Sequence, residues 1–247
     1  MLPKSQLQFI KSLHQKKFRK EHGLFIVEGL KSITDFFYSD HIIHSIYSIP
    51  KVEPKIDIFG KKIKHYPISD RDLQTISTLK TPQGMLALVE IPNRRHFDKG
   101  GLRNQYSIVL DTIQDPGNMG TIIRTADWFG VRHIICSPET VDIYNPKVVQ
   151  ATMGSLARVS VLYTDLRPFL KDIQLPVYAA VLNGESIYKT DFGTEGLIVL
   201  GNEGNGISAD LTGKETKPVT IPSFGNAESL NVAVSAAIFC SEISRKR

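Results

Sequence analysis

Cysteine is scarce in this sequence, and so is any pattern that would put it to chemical use. Its two cysteines, Cys136 and Cys240, both lie in apolar segments. Buried thiols in a reducing cytosol are the expected state, not a disulfide framework. No cysteine pair or His/Cys cluster has ligand spacing, which argues against zinc. His41 and His44 read as surface residues flanking a strand. No apolar run approaches the roughly 20 residues that span a bilayer, and Met1–Lys20 holds no apolar stretch of the kind a secretory signal needs. Internal repeats and low-complexity tracts are missing too. What is left is an ordinary globular composition, 41% hydrophobic and 22% charged. At 247 residues, the chain can form one large α/β domain or two smaller ones.

Charge is unevenly shared. Residues 1–100 carry 17 Lys and Arg against 10 Asp and Glu, while residues 101–247 carry 13 against 15. The excess is densest at Lys11, Lys16, Lys17, Arg19 and Lys20, ahead of the first acidic residue, Glu21. Such a patch favours a polyanion through counterion release, without specifying its sequence. A solvated basic helix that serves only solubility would carry the same residues.

The stretch Pro92–Gln105 lacks apolar periodicity and contains Gly100-Gly101, which suits a linker. We therefore expect domains at 1–92 and 107–247 joined by 93–106. In the first, Leu24–Val27, Ile43–Ile49, Ile63–Ile68 and Gly84–Ile91 read as strands, Gly29–Tyr38 as an amphipathic helix, and Ser69 as the cap of a helix through Ile76. In the second, six short strand candidates are centred on Val109, Ile135, Val161, Ala179, Val199 and Thr220. Most are apolar enough to be buried on both faces, as in a parallel sheet. Helices are expected at Gly120–Phe129, Pro146–Met153, Leu166–Ile173 and Asn231–Ser244.

Three loops follow predicted strands, where open α/β sheets place ligands. The first, Asp111–Gly120, feeds the helix carrying Arg124. Asn118, Gly120 and Arg124 would cluster at that helix start and suit a phosphate, although Asp115-Pro116-Gly117-Asn118 is also a good turn. The second, Gly201-Asn202-Glu203-Gly204-Asn205-Gly206, does not have the G-x-G-x-x-G order of dinucleotide sites. Glu203 there suits a cation or a hydroxyl better than a phosphate, and a plain tight turn would use the same residues. The third ends in Ser229-Leu230-Asn231 before a helix. Ser229 is a reasonable N-cap, whereas asparagine is a poor residue inside an apolar helix.

The set Asn118…Arg124, Gly201-Asn202-Glu203-Gly204 and Ser229-Leu230-Asn231 resembles the SpoU (TrmH-type) RNA ribose 2′-O-methyltransferases of the SPOUT superfamily, over residues 105–245. Phe25-Ile26-Val27-Glu28-Gly29 and Thr81–Ala87 resemble, less sharply, the L30e/L7Ae-like substrate-binding domain fused to many members. The resemblance implies an α/β fold: a C-terminal SPOUT α/β-knot with a mostly parallel, trefoil-knotted sheet, plus a small N-terminal L30e-like domain. It implies S-adenosylmethionine as methyl donor, RNA as substrate, no metal, and a homodimer through the C-terminal domain. Ribosomal RNA is expected over tRNA. A tRNA enzyme and a non-catalytic RNA-binding protein of the same fold are the alternatives. Carried over by position, Arg124 holds the phosphate and polarises the ribose hydroxyl. Asn118, Glu203, Ser229 and Asn231 position substrate or brace the loops. Val181, Leu182, Asn183, Gly184, Leu200, Gly201, Asn202, Gly204, Ile221, Ser229 and Leu230 line the cofactor pocket. The basic residues Lys11, Lys16, Lys17, Arg19 and Lys20 would grip RNA together with Arg124.

Overall fold

Two helices not foreseen as separate elements open the chain, α1 (Lys4–Ser12) and α2 (Lys16–His22). The expected alternation follows: β1 (Leu24–Glu28), α3 (Leu30–Phe37), β2 (Ile43–Ser48), β3 (Lys64–Pro67), α4 (Asp70–Ile76) and β4 (Met85–Glu90). The computed structural model describes residues 2–52, 63–93, 99–202, 204–213 and 215–245. The sheet order is β1-β4-β2-β3, with β4 antiparallel to both neighbours and β3 parallel to β2. Ser69 caps α4 as expected, its hydroxyl accepting from the Asp72 backbone N–H at 3.1 Å.

Strand β1 is buried along its whole length because helices cover both faces of the sheet. Alternate residues serve each side. Leu24 and Ile26 join Ile10 and Leu13 of α1 and Leu73 and Ile76 of α4. Phe25 points the other way, meeting Phe36 of α3 at 5.5 Å and Tyr144 at 4.6 Å between ring centroids.

Tyr144 is distant in sequence, and its presence marks a departure from the expected partition. The compact units are Met1–Arg94 with Asp142–Ala157, and Arg95–Val141 with Arg158–Arg247. Residues 142–157, expected with the C-terminal domain, belong to the first unit for two reasons. A short helix within them, Pro146–Ala151, packs on β1. Beside it, the Arg19 guanidinium donates to Asp142 Oδ2 at 2.6 Å and to the carbonyls of Leu13 at 3.0 Å and His14 at 2.9 Å. Arg19 is only 2% exposed. It is thus withdrawn from the basic surface to which the sequence assigned it, because α2 turns it inward while Lys11, Lys16, Lys17 and Lys20 stay exposed.

The second unit contains β5 (Tyr106–Leu110), α5 (Pro116–Trp128), β6 (His133–Cys136), and then, with Pro146–Ala151 counted as α6 of the first unit, β7 (Ser160–Tyr163), α7 (Leu166–Asp172), β8 (Val177–Ser186), β9 (Gly196–Leu200), β10 (Thr216–Thr220) and α8 (Val232–Arg245). The sheet runs β10-β8-β9-β5-β6-β7, every pair parallel. One face packs on α7 through Val109, Ile135, Val177, Leu197, Val199 and Phe169. Helices α5 and α8 pack on each other, and α8 also packs on β9. Strand order reverses between β5 and β9, the switch point at which such sheets open a crevice beyond their carboxyl ends. Strand β8 runs five residues past the apolar stretch because Glu185 and Ser186 still pair with Val219 and Thr220.

Replacing Arg19 with Ala leaves the Asp142 carboxylate, 15% exposed, without its partner and should destabilise the first unit by about 2–3 kcal/mol. Lys16→Ala should change stability by no more than about 0.5 kcal/mol. Denaturant titration of the two variants checks this; equal midpoints would remove the structural role of Arg19.

Candidate active site

The carboxyl ends of β5 and β9 are joined by a polar network. Asp111 follows β5 directly and is 4% exposed. Its Oδ2 accepts from the Ser208 backbone N–H at 2.7 Å, and its Oδ1 from the Thr112 hydroxyl at 2.9 Å. Thr112 sits at φ +58°, a left-handed conformation that strains a β-branched residue. Its surroundings hold it there: its N–H donates to Ser137 Oγ at 2.9 Å, and its carbonyl accepts from Asn202 Nδ2 at 3.0 Å. Asp111 and Ser208 were not foreseen as site residues. An acid directly after an apolar strand was the available signal.

Asn202 serves the second loop at both ends of its amide. While Nδ2 reaches Thr112, Oδ1 accepts from Gly204 N at 2.8 Å and Asn205 N at 3.3 Å. Its backbone exchanges two hydrogen bonds with Gly206, at 3.0 and 2.8 Å. A Cβ on Gly201 would lie 2.2 Å from the Gly206 backbone, so glycine at 201 is required by the loop's own closure whatever ligand approaches it. Glu203 lies outside the described residues. Leu200 is a core residue, 2% exposed, and its carbonyl accepts from Asp111 N at 2.9 Å.

The first loop ends where Asp115 caps α5, its Oδ1 accepting from Asn118 N at 2.7 Å, with Pro116 in the first turn. The helix therefore starts four residues before the expected Gly120. Asn118 lies in its first turn and accepts at Oδ1 from Asn231 Nδ2 at 3.0 Å. In the third loop, the cap is Asn231 and not Ser229. Helix α8 begins at Val232, and Asn231 Oδ1 accepts from Ala233 N at 2.9 Å and Val234 N at 3.4 Å. One amide thus caps α8 and ties it to the start of α5. Ser229 is exposed and makes no hydrogen bond among the described residues.

Arg124 is exposed and has neither a hydrogen bond nor an ion pair among the described residues. It lies about 9 Å along the helix from Asn118. Val181, Leu182, Asn183 and Gly184, expected in a loop, form part of β8. A Cβ on Gly184 would stand 2.6 Å from the Pro218 backbone, so the close passage of β10 demands this glycine. Leu182 is 72% exposed and Leu230 46% exposed, and Ile221 is half-buried. No group of three His, Cys, Asp or Glu among the described residues could hold a metal. Burial pushes the Cys136 thiol up and keeps it protonated.

A groove of about 620 Å³ runs between α5 and α8, lined by Asn118, Thr121, Thr125, Asn231 and Val234 with Tyr188. None of the residues expected around the cofactor lines it.

Residues 105–241 match the SpoU rRNA methylase family, and residues 4–87 match the MRM3-like substrate-binding domain. The chain belongs to the SpoU rRNA methylase family. A 23S rRNA guanosine-2′-O-methyltransferase of Bacillus subtilis is 30% identical to it, over 92% of this chain and 91% of the relative. An rRNA methyltransferase from Sinorhizobium meliloti, solved with S-adenosylmethionine bound, superposes with a TM-score of 0.88 at 28% identity, over 100% of this chain and 96% of the other. A Porphyromonas gingivalis structure assigned to the TrmH family of RNA methyltransferases gives 0.86 at 34% identity, over the full length of both chains.

Within this SpoU domain, Asp111→Ala would leave the Ser208 N–H without its charged acceptor and cost about 1–3 kcal/mol. Asn231→Asp keeps the cap and loses only the bond to Asn118, so it should be milder than Asn231→Ala, which loses about 1 kcal/mol of capping as well. Thermal unfolding of the three variants ranks them; a wild-type melting temperature for Asp111→Ala would contradict the network.

Proposed function

We propose that this protein transfers the methyl group of S-adenosylmethionine to a ribose 2′-hydroxyl of ribosomal RNA. The observation that carries the reading is Arg124: an exposed guanidinium on α5, unpaired among the described residues, in a SpoU domain whose neighbouring loops are tied to one another by Asp111, Asn202 and Asn231. The substrate-binding match at residues 4–87 and the 23S rRNA specificity named for the Bacillus subtilis relative support ribosomal RNA over tRNA. In this reading residues 1–92 grip RNA through Lys11, Lys16, Lys17 and Lys20, with Arg19 holding the fold beneath them. The work is done in the cytosol, where the buried thiols of Cys136 and Cys240 stay reduced.

The reaction is an in-line displacement. The ribose oxygen attacks the methyl carbon as the carbon–sulfur bond breaks, S-adenosylhomocysteine leaves, and the hydroxyl proton passes to a base or to water. The protein's task is to aim the oxygen and ease loss of its proton. Arginine stays charged, so Arg124 holds the adjacent phosphate and lowers the energy of the developing alkoxide without accepting the proton. Glu203 and Ser229 position the substrate from the second and third loops. Asn118 and Asn231 fix the start of α5 against α8, which sets where Arg124 stands. Leu182, Ile221 and Leu230 cover the adenosyl group, against the backbone of Gly201–Gly206.

The groove between α5 and α8 suits a second copy of the chain. Val234 is 47% exposed and Tyr188 58% exposed on its walls, apolar area that a symmetric partner would cover. In that dimer Arg124 is offered to the partner's site.

Arg124→Ala should lower transfer of labelled methyl from S-adenosylmethionine to ribosomal RNA by about 10²–10³-fold. Calorimetric affinity for the cofactor should be unchanged. Parallel loss of both would remove the assigned role. Light scattering should give twice the 27.6 kDa of one chain, and Val234→Glu should return the protein to a monomer. A monomeric wild type would refute the dimer.

A further inference from the structure

We propose that Trp128 is a stacking platform for a base of the substrate RNA that neighbours the reacting nucleotide. The inference rests on the RNA methyltransferase reading above. Trp128 is the only tryptophan in the sequence. It lies at the end of α5, 84% exposed, and makes no ring contact among the described residues. An indole held almost wholly in water on a regular helix forgoes a large burial energy, so its position calls for a ligand that covers it.

The surroundings say which kind. Arg124 and Trp128 are four residues apart, so they share one face of α5 about 6 Å apart along its axis. The guanidinium on that face is unpaired among the described residues. Next to Trp128, Asp127 accepts from Arg158 through Nε at 3.1 and 3.0 Å and Nη2 at 2.8 Å. Arg158 lies two residues before β7, so this fork fixes the end of the helix that carries the indole. Arg132, exposed, follows the turn out of α5. Arg124 and Arg132, both exposed, thus leave the end of α5 with positive charge beyond the Arg158–Asp127 pair. An apolar protein partner would have to desolvate that charge without return. A nucleic acid strand neutralises it at its phosphates and presents a flat base to the indole. Neither Arg124 nor Trp128 lines the α5–α8 groove, so a strand lying here does not compete for the groove walls. With Arg124 on the phosphate of the reacting nucleotide, Trp128 falls at the neighbouring base. Stacking of this kind tolerates any base, so the residue adds affinity and register more than sequence choice.

A sole tryptophan makes the test direct. The wild-type protein with S-adenosylhomocysteine is titrated with a short single-stranded RNA of mixed sequence and, separately, with inorganic polyphosphate, which has the charge without the bases. RNA should quench the tryptophan emission to saturation, and polyphosphate should not. Trp128→Ala should raise KM for ribosomal RNA about tenfold or more, with cofactor affinity and melting temperature unchanged, and Trp128→Phe should recover most of that loss. Equal quenching by polyphosphate, no quenching by an RNA that binds, or an emission shift driven by protein concentration alone would overturn the proposal. The last result would assign the indole to a contact between copies. If the wild-type enzyme transfers no methyl group to any RNA, it is the parent reading that fails, and the emission data distinguish the two failures.

Discussion

A single buried carboxylate, that of Asp111, joins the two loops on which the candidate site is built. It directly follows the central strand β5 at the point where strand order reverses, and it reaches across to the backbone of Ser208 beyond the glycine loop. Thr112 adopts its left-handed conformation beside it, and Asn202 closes the circuit from the opposite loop. Open α/β sheets offer a crevice at such a reversal, but a crevice of flexible loops would bind little. Here Asp111 to Ser208 and Asn202 to Thr112 hydrogen-bond the two loops to each other, so their relative position is set before any ligand arrives. Preorganisation of this kind removes the ordering cost that would otherwise be charged against binding.

The helices extend the same logic. Asp115 and Asn231 each cap a helix, and the Asn231 amide also reaches Asn118, so α5 and α8 are tied together at their amino ends. Polar residues that sequence patterns mark as catalytic thus turn out to bear structural loads. That does not lessen their bearing on activity. An arginine that must meet a phosphate and a hydroxyl at once is only as well aimed as the helix that carries it, and Arg124 has no bond of its own among the described residues to hold it.

Much of this was legible in the sequence, for definite reasons. The central strands of the second unit, β5, β6 and β9, are short apolar runs bounded by turns, as a parallel sheet buried on both faces requires. The Ser69 cap and the loops after β5 and β9 were legible from local chemistry. Other features depended on contacts distant in the chain. Arg19 looked like part of a basic patch because its partner, Asp142, is far away in sequence. The same pair, with Tyr144 against Phe25, moves residues 142–157 into the first unit. The extension of β8 was hidden because Leu182–Glu185 is exposed and lacks an apolar pattern. Ser229 was favoured as a cap over Asn231 because the helix start was placed too early. Gly184 and Gly201 suggested ligand approach, while the contacts show backbone passing backbone. Glu203 falls outside the described residues.

The most direct measurement of the central claim is a map of ribose 2′-O-methylation across total RNA from cells with and without this protein. Loss of methylation at a discrete ribosomal RNA position, restored by the wild-type chain and not by Arg124→Ala, is the predicted result. Identical methylation maps in the two cell populations would contradict it.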